Sequence, residues 1–347
     1  MKTLLLLSLS AFSLLACQPK NEATTAQGEA ANVVEPSYIG AVEMTASGII
    51  DPEAKIEDLG GAFGWSEGPV WIAEESRVLF TDVPGNIMWS YKEGEGLTEF
   101  LSPSGLPDPK PDYISSQGAN GLIRLNSEEI LLLDHGHRGL YAMNLSTRKT
   151  RLIVDKYNGK AFNSPNDAVL HKTGIIFFTD PPYGLAGQDQ SNVKEIPFNG
   201  VYAYSPSGEV TLIDDSLTRP NGIILSPDQR TLYVSNSDPE ITIWKAYPVA
   251  EDGAVGDGEI FFDATADFAK GERGNADGMA VDTEGRIYAT GPGGVIVFSP
   301  QGERLGLIRT GKLVANVTFG GADGSVLYMT SHDILARVPM LVTGQGF

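Results

Sequence analysis

Six short motifs in this 347-residue chain place an oxygen-bearing side chain beside a small or turn-forming residue. They are Ser66-Glu67-Gly68-Pro69, Ala119-Asn120-Gly121-Leu122, Pro165-Asn166-Asp167-Ala168, Pro220-Asn221-Gly222-Ile223, Ala276-Asp277-Gly278-Met279 and Ala315-Asn316-Val317. Taken singly, each is an ordinary turn sequence. Taken together, carboxylates of Glu and Asp beside amide oxygens of Asn are the donors that a hard cation such as calcium takes, with water filling the remaining positions. Two carboxylates also balance the charge of one divalent ion, so such a set can be buried without leaving net charge.

For these side chains to act together, the fold must bring them to one point. The motifs recur at a period of roughly fifty residues, which is the mark of a propeller array. Each precedes a short apolar strand such as Leu122-Ile123-Arg124-Leu125, and a β-rich run follows. Those runs are Arg77 to Thr81, Ile130 to Leu133, Ile175 to Thr179, Thr231 to Val234, Arg286 to Ala289 and Val326 to Met329. Third strands such as Val201 to Tyr204 and fourth strands such as Glu209 to Ile213 complete a four-stranded blade. The expected fold is all-β, a six-bladed β-propeller over residues 46–347, with the six polar residues at one mouth of its channel. The last copy lacks a fourth strand, and the stretch Ala54 to Leu59 has no blade of its own. It is expected to complete the last blade and close the ring.

The repeat and its motifs resemble the family of senescence marker protein-30, gluconolactonases and luciferin-regenerating enzymes, over roughly residues 55 to 340. The most specific parts are Glu67 in Ser-Glu-Gly-Pro, Asn166 in Ser-Pro-Asn-Asp, Asn221 in Arg-Pro-Asn-Gly and Asp277 in Ala-Asp-Gly-Met. The resemblance implies that Glu67, Asn166, Asn221 and Asp277 hold calcium or another divalent cation, magnesium, manganese or zinc. It implies hydrolysis of a lactone whose carbonyl is polarised by the ion. Asp277 is then either a ligand alone or also the base that takes a proton from water.

Asp134-His135-Gly136-His137-Arg138 is similar to a His-Gly-Asn-Arg stretch of the gluconolactonase-like members, and His137 departs from it. His135 is a candidate catalytic proton carrier or substrate contact, against a plain structural role. Tyr183, in Asp180-Pro181-Pro182-Tyr183-Gly184, either covers the pocket or marks a rigid turn. Asn120 and His332 are further substrate-binding candidates. Asn316 is a candidate for orienting ligands, and His171 has no assigned role.

Composition narrows the partners. The formal charge of −19 excludes a nucleic-acid binder, which needs a basic face. The single cysteine, Cys17, excludes internal disulfides. Lys2 and the apolar stretch Leu4 to Leu15 lead into Leu14-Leu15-Ala16-Cys17, which resembles the lipobox of bacterial lipoproteins. Residues 1–16 are thus expected to be an export signal, and Cys17 a lipidated first residue facing the periplasm or exterior. Residues 17–45 are expected to be a tether, and the anchor the chain's contact with membrane. A monomer is the default.

No His-x-x-x-His zinc helix and no phosphate-binding Gly-x-x-x-x-Gly-Lys-Ser/Thr loop is present. Three functions compete: a sugar-lactone hydrolase, a phosphotriesterase-like hydrolase on the same metal arrangement, and a non-catalytic calcium-stabilised binding propeller.

Overall fold

Alternating apolar residues in short runs between tight turns fold here as antiparallel sheets. The computed structural model describes residues 36–346. The export signal, Cys17 and most of the tether lie outside the described residues. Six sheets form the blades of a β-propeller. The first blade runs Ser66–Ile72, Arg77–Asp82, Ile87–Lys92 and Gly96–Leu101 from its inner to its outer strand. The next three repeat that order, starting at Ala119–Arg124, Ala168–Leu170 and Pro220–Leu225. The fifth starts at Met279–Val281 and the sixth at Asn316–Gly320.

In the sixth blade the chain supplies three strands from its C-terminal end, the last being Ile334–Pro339. The N-terminal strand Ile56–Gly61 pairs antiparallel with Ile334–Pro339 and takes the fourth position. Two further strands precede it. Ser37–Ile39 pairs with Ile56–Gly61, and Ala41–Met44 pairs with Arg304–Arg309 at the outer side of the fifth blade. These strands correct the tether boundary at residue 45. Among the described residues, paired structure starts at Ser37, because short alternations such as Ala41-Val42-Glu43-Met44 gain stability only beside a ready-made sheet edge.

The core is divided rather than central. Apolar side chains of neighbouring blades interdigitate in six clusters, one at each blade-to-blade seam. At the seam between blades six and one, for instance, Trp71 stacks on Tyr328 with ring centroids 5.8 Å apart. Packing every sheet on both faces leaves the channel as the place where polar inner strands meet.

Candidate active site

A recurring irregularity aims the polar residues into the channel. In the first, second and fourth blades the inner strand shifts register at the motif: between Glu67 and Val70, Ala119 and Leu122, and Pro220 and Ile223. Such bulges turn a side chain out of the alternating pattern. The inner strands also approach so closely that a side chain is excluded beside them. A Cβ on Gly68 would lie 2.1 Å from the Asn120 carbonyl oxygen, and one on Gly222 2.2 Å from that of Asp277. The sixth blade has no such shift, and Asn316 pairs regularly with Thr330.

Second-strand residues hold this arrangement. The buried Thr81 Oγ1 donates to the Asn120 carbonyl at 2.9 Å, and Thr179 Oγ1 donates to that of Asn221 at 2.6 Å. Each hydroxyl thus fastens its blade to the motif of the next. The residue after each threonine caps the loop leading to a motif. Asp82 accepts the Gly64 and Trp65 amides at 3.1 Å, and Asp180 accepts those of Asn163 and Ser164 at 2.8 Å. Asn236 does the same for Arg219 at 2.7 Å.

The product of this scaffold is a cavity of about 250 Å³ lined by Glu67, Asn166, Asn221 and Asp277, together with Asn120, His135 and Tyr183. Glu67 is held by the Trp65 indole, which donates to Oε1 at 3.1 Å, and by the Gly68 amide, which donates to Oε2 at 3.1 Å. Burial nevertheless pushes Glu67 up to about 7. Asp277 is raised well above the usual carboxylate range, chiefly by burial and then by the charges of Glu67 and Asp167. Its Oδ1 is enclosed and has no hydrogen-bond partner. Burial, aided by the Glu67 charge, also pushes Asp167 up to about 7. Glu67 and Asp277 therefore share a cavity whose dielectric resists their charge, with Asp167 near enough to add repulsion, the condition in which a cation is favoured.

The other sequence candidates divide. Asn120 Nδ2 and His135 Nε2 lie 3.3 Å apart in the cavity wall. Burial pushes His135 down to about 4, so the ring is neutral near pH 7. With the amide donating, its proton sits on Nδ1, which has no partner. Tyr183 lies over the cavity with its hydroxyl donating to the Ser237 carbonyl at 3.4 Å, and burial raises its pKa. The Asn221 amide sits beside both the Asp277 carboxylate and the Tyr183 hydroxyl.

Asn316 is not in this cavity. It lines a separate space with Asp167 and interacts with Glu67 and Asp167, as its unbulged strand dictates. His332 does not line this cavity. It occupies a hairpin tip with φ of 56°, which turns it outward, and its side chain is 47% exposed. There it meets the Trp65 ring edge-on at 5.4 Å. His171 hydrogen-bonds Thr173 at 2.7 Å, in a turn away from the channel.

The site and its scaffold fall within one known pattern. The model of the SMP-30/Gluconolactonase/LRE-like family matches residues 65–333, from Trp65 before the first motif to Asp333 in the last blade. The chain belongs to this family. Among similar members, a gluconolactonase of Zymomonas mobilis is 39% identical over 292 residues, covering 83% of this chain and 82% of that protein. A pentonolactonase of Haloferax volcanii is 26% identical over 295 residues, covering 83% of this chain and 85% of that protein. A solved gluconolactonase structure from Xanthomonas campestris superposes with a TM-score of 0.74 at 25% identity, covering 88% of this chain and 97% of that one.

Several site residues of this family member escaped the sequence reading. Trp65, Asn275 and Ser237 line the cavity, and Asp167 reaches the same acidic cluster. Asn275 and Asp167 each stand within two residues of a motif residue, a signal available beforehand. Ser237 offered none, since it is brought in by the length of its strand, Thr231–Asp238.

Proposed function

We propose that this propeller is a divalent-cation-dependent hydrolase of lactones, of the sugar-lactone type, and that Glu67, Asn166, Asn221 and Asp277 hold the cation. The observation that carries the reading is the unpartnered Oδ1 of Asp277 in a cavity lined by all four oxygen-bearing side chains. Two carboxylates with two amides match the charge and hardness of calcium, magnesium or manganese, whereas zinc prefers nitrogen and sulfur donors. Lactone-hydrolysing names among the relatives support the reaction class. Bound there, the cation would polarise the lactone carbonyl and offset negative charge developing on its oxygen.

The chain's own groups supply the rest. A volume of about 250 Å³ suits a single small ring, below the about 300–1,000 Å³ of drug-sized sites. The Asp277 carboxylate also accepts a proton from the attacking water, and that proton passes to the ring oxygen as the ester C–O bond breaks. The product is an open-chain hydroxy acid. Asn120 and neutral His135 line the cavity where the ring hydroxyls would sit, and Tyr183 shields them from bulk water.

The test is a pH-stat panel of aldonolactones, homoserine lactones and a phosphotriester, with and without chelator, on protein lacking residues 1–17. Chelator-sensitive turnover of an aldonolactone is expected. No chelator-sensitive turnover of any lactone would overturn the reading in favour of a binding propeller. We also propose that Cys17 is acylated and holds the propeller on the outer side of a bacterial membrane. Labelling with a palmitate analogue should be lost in Cys17→Ser.

A further inference from the structure

The proposed lactone cavity does not end at its ring-sized volume. A space of about 430 Å³ shares Trp65, Asn275 and Asp277 with it and runs outward beside Leu313 and Val314. A second, of about 550 Å³, shares Glu272, Arg273 and Leu313 with the first and reaches His332 and Lys312. A continuous groove therefore leads from Asp277 over the rim of blades five and six. It is far larger than a single ring requires, so it suits what the ring carries.

The charges along this groove are unequal in their freedom. Arg309 is held by Glu272 at 2.9 Å and Glu43 at 3.0 Å, and Lys312 is paired with Asp333. Arg273 is different. Its backbone is fixed, the carbonyl accepting the Gly293 amide at 2.8 Å. Its exposed guanidinium makes no ion pair or hydrogen bond among the described residues, yet it lines both spaces. An unpaired guanidinium presents planar donors that match a carboxylate or phosphate. In a chain of net charge −19 it also offsets the repulsion that an anion would otherwise meet at this mouth.

Resting on the lactonase reading, we propose that this groove is a substrate subsite that selects lactones bearing an anionic group beyond the ring, with Arg273 as the residue that recognises it. The bond broken is unchanged; the groove sets which lactone is held. Recognition by one exposed guanidinium acts through KM and weakens with salt.

The experiment compares matched pairs on the intact mature protein. Glucono-γ-lactone is set against glucaro-γ-lactone, which replaces the terminal hydroxymethyl by carboxylate, and glucono-δ-lactone against its 6-phosphate. The expected result is a kcat/KM ratio favouring the anionic partner by about three- to tenfold, the worth of one partly solvated charged contact. In Arg273→Gln that ratio should fall to near one, and Arg273→Lys should restore part of it. The pair showing the larger preference tells carboxylate from phosphate.

A ratio identical in wild type and Arg273→Gln for both pairs overturns the proposal. Calorimetric binding of glucarate against gluconate keeps the subsite testable without turnover. Wild type that hydrolyses no lactone but prefers glucarate, and loses that preference in Arg273→Gln, would sink the lactonase reading and leave the anionic subsite standing. Equal binding of the two acids by wild type sinks the subsite.

Discussion

The Trp65 indole N–H donates to Glu67 Oε1 at 3.1 Å, while the Trp65 backbone amide donates to Asp82 at 3.1 Å. A residue at the end of the second strand thus orients a carboxylate at the start of the first. Such outer partners hold a ligand in one geometry before any ion arrives.

Replacing that indole should be felt at the cation. Trp65→Phe keeps the ring's bulk against His332 and removes only the donor. The calcium concentration for half-maximal lactone turnover is expected to rise about ten- to a hundredfold, the usual effect of losing such a partner. Unchanged calcium dependence would show that the Gly68 amide alone orients Glu67.

The crowded carboxylates set a pH dependence whose sign follows from their raised pKa values. Glu67, Asp167 and Asp180 are each pushed up to about 7 by burial, and Asp277 well above its ordinary range. In chelated protein these groups bind protons more tightly folded than unfolded, so their stabilisation is full below about pH 4 and is lost as pH rises through about 7. His135, pushed down to about 4, acts oppositely: its contribution is full above about pH 6.5 and is lost as pH falls through about 4. Four carboxylates outweigh one histidine, so Tm in chelator should fall between pH 5 and pH 8. Excess calcium, which favours the charged forms, should flatten or reverse that slope. A chelated protein whose Tm rises over this range would contradict the burial of these charges.

The six copies were legible in the sequence because each joins a turn-forming polar pair to an apolar strand, two signals with local causes. The bulges at Glu67, Asn120 and Asn221 were not, since register is set between strands and leaves no mark on either alone. Asn316 shows the consequence: in sequence it matches Asn120, but its unshifted strand sends it to a different space. The place of His332 outside the cavity was hidden for a related reason, because a left-handed turn residue reverses the direction that strand alternation implies. Arg273 sits in no motif and becomes notable only when its neighbours' pairings are known.

Blade-to-blade fastening is testable at Thr179. Thr179→Val preserves shape while leaving the buried Asn221 carbonyl without the hydroxyl at 2.6 Å. A loss of about 1–3 kcal/mol is expected from an unsatisfied buried acceptor, read from the denaturant midpoint. A change below about 0.5 kcal/mol, the scale of an ordinary surface substitution, would mean the hydroxyl does not fasten the blades.

The N-terminal strands give a graded prediction. Starting the chain at Ala62 removes Ile56–Gly61 and leaves Ile334–Pro339 as an open edge. We expect that protein to aggregate or to unfold many degrees lower. Starting at Thr45 removes only Ser37–Ile39 and Ala41–Met44, and should cost much less. Equal Tm for both truncations and the full mature chain would rule out Ile56–Gly61 as the strand that closes the ring.

The central claim is that four side chains from four blades share one cation, and calorimetric titration of calcium into chelator-treated protein tests it most directly. One site per chain is expected, with protons released on binding at pH 6, and with the site lost in Glu67→Gln and in Asp277→Asn while both variants stay folded. Absence of binding to the unaltered protein, or binding that survives both substitutions, would contradict it.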